Sequence, residues 1–110
     1  MKQILPALVL ISMPTAYAST YHGVIHEIRI AAVSSGETRV SVLTSGTPDC
    51  TAGSAVNRWY SFEYSSRAST GAAWLAALLS AKALHASIVI HGTGTCDASG
   101  IEEIAEIDLP

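Results

Sequence analysis

Between residues 23 and 33, apolar Val24, Ile28 and Ile30 alternate with charged Glu27 and Arg29, the two-residue period of a half-buried strand. Ser34-Ser35-Gly36-Glu37 has the composition of a hairpin turn, and residues 39–44 alternate again with Val40 and Val42 on one face. Ser45-Gly46-Thr47-Pro48-Asp49 breaks that strand and opens a loop that runs to about residue 55. Residues 58–64 predict a third strand, with Tyr60, Phe62 and Tyr64 opposite Trp59, Ser61 and Glu63. The period then changes. Residues 71–85 are rich in Ala and Leu and lack proline, and Ser69 or Thr70 can cap the start of a helix there. Trp74, Leu75, Leu78 and Leu79 fall on one stripe of that helix and are expected to face the core. A fourth strand is predicted over 87–91. Gly92-Thr93-Gly94-Thr95 then turns to place Cys96, and a last strand spans 104–109, with Ala105, Ile107 and Leu109 opposite Glu106 and Asp108.

The predicted chain is therefore mainly β with one helix. A meander of three strands, a helix and a hairpin is the β-β-β-α-β-β layout of a small five-stranded OB-like barrel with the helix plugging one end. An open α+β sheet covered by one helix is the alternative. In the barrel layout the second and fourth strands run in the same sense, so the loops that leave them share one end.

The first 18 residues change how the cysteines are read. Lys2, the apolar stretch 4–11 and the small-x-small box Ala16-Tyr17-Ala18 are the parts of a secretory leader, too short to span a bilayer. Cleavage is expected after Ala18, leaving residues 19–110 as a single OB-like domain, secreted or periplasmic, with no membrane span in the mature chain. In an oxidising compartment the two cysteines, Cys50 and Cys96, read as one disulfide. They follow the two strands whose exit loops share an end. A bridge between them closes about 47 residues, for a chain-entropy contribution of about 4 kcal/mol. Metal ligation by the pair is the weaker reading, since neither has a CxxC partner.

Residues 19–110 hold five basic and nine acidic side chains, with no basic stripe, which argues against a nucleic-acid partner. Catalytic and metal signals are weak. Gly92-Thr93-Gly94 lacks the rest of a phosphate-loop motif, and no serine sits in a GxSxG elbow. His22, His26, His85 and His91 lie on separate elements, so no metal site, cofactor or enzymatic activity is expected, and His26 is read as a hydrogen-bonded core group. Glu102, Glu103 and Glu106 read as a solvated face. Trp59 points away from the aromatic core face, where an indole can stack on a sugar ring or anchor a protein, or else lie under a loop.

Tyr21-His22-Gly23-Val24-Ile25-His26-Glu27-Ile28-Arg29-Ile30, the loop Ser45-Gly46-Thr47-Pro48-Asp49-Cys50 and the helix end Ala81-Lys82-Ala83-Leu84-His85 resemble the B subunits of pentameric AB-type toxins, particularly the subtilase-cytotoxin and pertussis-like B subunits. The resemblance covers most of the mature chain by layout and is close only in these patches. It implies a non-catalytic binding module that forms a homo-pentamer, recognises a sialylated glycan receptor and carries a catalytic A subunit. Those subunits bind glycans through a serine just before the first strand. No serine stands at that spacing here, and the nearest polar positions are Ser19, Thr20 and His22, beside Tyr21. His85 falls about where the relatives place an aromatic beside the sugar. The ligand-binding candidates are thus Ser19, Thr20, Tyr21, His22, Trp59 and His85. The alternative is a stand-alone exported OB-fold protein that binds another protein or a small ligand.

Overall fold

A computed structural model describes residues 18–50 and 58–110 of the chain. The expected leader, up to residue 17, and the end of the loop after Cys50, residues 51–57, lie outside the described residues. The elements are β1 (Ser19–Gly23), β2 (Glu27–Ala32), β3 (Thr38–Leu43), β4 (Trp59–Glu63), α1 (Ala68–Leu84), β5 (Ile88–Cys96) and β6 (Glu102–Asp108).

The fold is mainly β with one helix, as the alternation predicts, but it has six strands rather than five. The expected first strand over 23–33 shortens to β2, and a strand not foreseen in the sequence, β1, precedes it, with Val24–His26 between the two. Ile25 is buried there, out of phase with the alternation that Val24, Ile28 and Ile30 suggest. The Tyr21 hydroxyl folds back to donate to the Val24 carbonyl at 2.5 Å. Its ring lies against Gly23 and Gly46, where any Cβ would strike it. The chain bends because the Tyr21 ring occupies the corner.

The sheet order is β1-β5-β6-β4-β3-β2, curled into a half-barrel. Neighbours pair antiparallel except β4 and β6, which are parallel. Alternate residues of each strand fill the inside: Tyr21, Val40, Val42, Tyr60, Phe62, Ile88, Ile90 and Ile104 pack with Leu78 and Ala81 of α1. Trp74 meets Phe62 edge to face at 5.3 Å, which seats the helix on the sheet.

Three expectations shift. The segment 92–96, read as a turn, continues β5 to Cys96, and the pairing with β6 slips on either side of Gly92. Such a slip inserts residues into one strand, so Ile104 and Ile107, rather than the set Ala105, Ile107 and Leu109, pack in the core. Leu79 is 49 % exposed instead of joining the core stripe. The helix begins at Ala68 with no side-chain cap, not at a Ser69 or Thr70 cap, and ends at His85 in the left-handed region. There the Ala86 N–H bonds the Ala81 carbonyl at 3.0 Å, closing the last turn.

Candidate functional site

Cys50 and Cys96 form the expected disulfide, with Cα atoms 5.7 Å apart. Below it lies a polar knot at the end of the otherwise apolar half-barrel interior. Its centre is Glu102, read from the sequence as solvated but 0 % exposed. It alternates with Ile104 on β6 and so points inward, a phase that the slip at Gly92 hides from the sequence. One carboxylate oxygen accepts from the Ser19 hydroxyl at 2.9 Å and the Asp49 N–H at 2.5 Å, and the other from the Gly94 N–H at 2.8 Å. Ser19 has spent its proton on Glu102, so the Tyr60 hydroxyl 3.0 Å away donates to Ser19. Burial raises the Tyr60 pKa, with the Glu102 and Asp49 charges adding to the rise against the opposing Ser19 hydrogen bond. Gly92 makes room for the carboxylate, since a Cβ there would overlap it. Ser19 is thus a structural tie rather than an open ligand group, and no histidine joins it to make a nucleophile.

The six ligand candidates do not converge. Ser19 and Tyr21 point inward, Tyr21 into the core. Thr20 and His22 point outward and are exposed. His22 pairs with Val89 and Gly23 with Ile88, so the helix-ending His85 lies near the His22 end of β1. Trp59 stands three strands away on β4. The Arg29 guanidinium lies 4.6 Å from the centre of the Trp59 ring, so a cation covers one face of the expected stacking platform. His26, read as a core group, is exposed and shares a 2.6 Å hydrogen bond with Ser45.

Two further polar clusters sit on the outward face of the sheet. Asp97, with a side chain 2 % exposed, receives the Ser61 hydroxyl at 2.5 Å, the N–H groups of Ser99 and Ile101, and the Ser99 hydroxyl. Arg39 reaches it at 3.5 Å while pairing with Glu63 at 3.0 Å. Burial pushes the Asp97 pKa up, but the hydrogen bonds from Ser61, Ile101 and Ser99 outweigh it and hold the carboxyl below its ordinary value. A depressed carboxylate stabilises the fold above its unfolded pKa, and that contribution is lost as pH falls through the folded value. Asp97→Asn is therefore expected to lose roughly 2 kcal/mol at neutral pH. It should also show a shallower loss of stability below about pH 4 than the wild type in thermal melts. An unchanged acid limb would show that Asp97 does not control it.

The second cluster is His91, Glu106 and Asp108. The antiparallel register of β5 and β6 sets His91 opposite Glu106, and Asp108 follows two residues on. The His91 Nε2 lies 3.1 Å from Asp108, and its Nδ1 lies 3.1 Å from the Thr20 hydroxyl. A side-chain hydrogen bond with Glu106, then the bond and charge of His91, hold Asp108 below the usual carboxylate range. Sequence reasoning searched for histidine pairs and missed this group, since only the cross-strand register brings one histidine to two acids.

Comparison with known proteins returns no matching family, no matching curated protein and no matching solved structure. The functional reading therefore rests on the residues and the geometry above. No helix among the described residues is long and apolar enough to cross a membrane.

Proposed function

We propose that the chain is an exported, non-catalytic binding module of the toxin B-subunit kind, which works as a ring of identical copies and presents a glycan-binding face. The observation that carries this reading is the solvent side of α1. Ala72, Ala73, Ala76, Leu79, Ala83 and Leu84 are exposed there, Leu84 to 73 %. The helix has a single charged residue, Lys82, which falls on the sheet-facing side with Leu75 and Leu78. Apart from Ser69, Thr70 and Ser80 the exposed side of the helix is apolar, and its small side chains let a second helix approach closely.

Two features support the OB reading behind it. β1 and β2 are successive halves of one bent segment, yet they occupy opposite ends of the sheet order. Joined through Val24–His26, they make five strands whose order closes on itself, as in a small barrel. The disulfide supports export, because such bonds persist in oxidising compartments. The leader and its cleavage after Ala18 belong to the same proposal, as do the sialylated receptor and the catalytic A subunit. Thr20, His22 and His85 are the outward polar groups that would meet the glycan, in a shallow site that gains strength from multivalency.

Light scattering on the mature protein is expected to give a closed oligomer of about five copies, the number the toxin resemblance implies, joined through unlike patches. Leu79→Lys should dissociate it without unfolding the domain. A wild-type monomer at high concentration would overturn the ring and leave a stand-alone exported domain that binds a protein or a small ligand. On a glycan array, the verified oligomer should bind sialylated glycans and lose signal in His22→Ala or His85→Ala. No signal from it would remove the glycan face.

A further inference from the structure

We propose that His91, Glu106 and Asp108 form a binding site for a divalent transition metal such as zinc, on the outward face of the β1–β5–β6 ladder. The ligand atoms of the three residues lie within 4.8 Å of one another; a tetrahedral zinc site holds its ligands ~3.4 Å apart, so small side-chain rotations close the three around one ion. The His91 side chain is mostly buried and that of Asp108 nearly half exposed, so an entering ion can reach the group from solvent.

The imidazole is oriented for the task from outside the ligand set. Thr20 on β1 pairs with His91 in the strand register, and its hydroxyl engages Nδ1. That contact fixes the ring and turns Nε2 toward the carboxylates, the arrangement by which an outer partner sets a metal-bound histidine. Glu106 and Asp108 alternate on β6, so they lie on one face, with carboxylate oxygens within 4.8 Å of each other. Two carboxylates that close together need a proton or a cation between them, and a metal supplies more charge than a proton. One nitrogen and two carboxylate oxygens suit zinc or a similar borderline ion better than calcium or magnesium, which take more oxygen ligands. Three protein ligands leave at least one position to water. The metal would clip β5 to β6, while Thr20 extends the hold to β1.

The test is zinc titration of untagged protein by calorimetry, with imidazole NMR as a second readout. One zinc per chain is expected, with only the His91 ring signals moving and those of His22, His26 and His85 unchanged. His91→Ala and Asp108→Asn should each weaken binding by about tenfold or more. Thr20→Val, which leaves all three ligands in place, should weaken it by a smaller factor, and the His91 signals should report a less ordered ring. Zinc should raise the melting temperature of the wild type and not that of folded His91→Ala. Absence of binding, equal affinity in His91→Ala and Asp108→Asn, or shifts spread over all four histidines would each overturn the site.

Discussion

Glu102→Ala is expected to destabilise the domain by roughly 2–4 kcal/mol, because it strips a buried acceptor from three donors at once. The Ser19 hydroxyl, the Asp49 N–H and the Gly94 N–H all converge on this one carboxylate. Glu102→Gln should cost less, since it keeps one carbonyl oxygen, but its amide then faces a donor. Chemical denaturation of both variants at neutral pH measures the difference. A loss below about 1 kcal/mol for the alanine variant would mean that water replaces the carboxylate and the knot is dispensable.

Cys96→Ser is expected to cost about 2–5 kcal/mol, the range for a native bridge in a small domain. The bond joins positions 46 apart in sequence, so its loss returns a long loop to the unfolded ensemble. Its effect should not add to that of Glu102→Ala. Asp49 adjoins Cys50 and Gly94 lies two residues before Cys96, so carboxylate and disulfide fasten the same two loops. In a double-mutant cycle the second substitution should cost less than it does alone. Full additivity would show that the two ties act on separate parts of the chain.

Much of this fold is legible in the chain because its strands alternate cleanly where one face is buried. Val40 and Val42, then Tyr60 and Phe62, are in the core as their spacing predicts, and the Cys50–Cys96 pairing follows from strand order. What the alternation misses has one physical origin: a local irregularity that shifts the phase downstream. Ile25 breaks the first strand, and the slip at Gly92 changes which β6 residues face inward, turning Glu102 from an apparent surface acid into the most buried charge of the described residues. Tyr21 is buried for a related reason, since its ring fills a corner built by Gly23 and Gly46. The His91–Glu106–Asp108 group depends on register between strands, which no single segment encodes. Leu79 follows the apolar helical stripe in sequence, yet the sheet covers only part of that stripe.

The bend at Val24–His26 also divides the chain's pairing by range. β2 finds β3 across a short turn, whereas β1 must wait for β5, which is made only after the helix. A continuous run of backbone thus holds both the most local and the most distant contacts of the sheet, and the distant ones carry the larger loop entropy. The first strand of the described residues is thus the part fastened last. Until then Ser19 is absent from the Glu102 knot, and the half-barrel lacks its β1 edge.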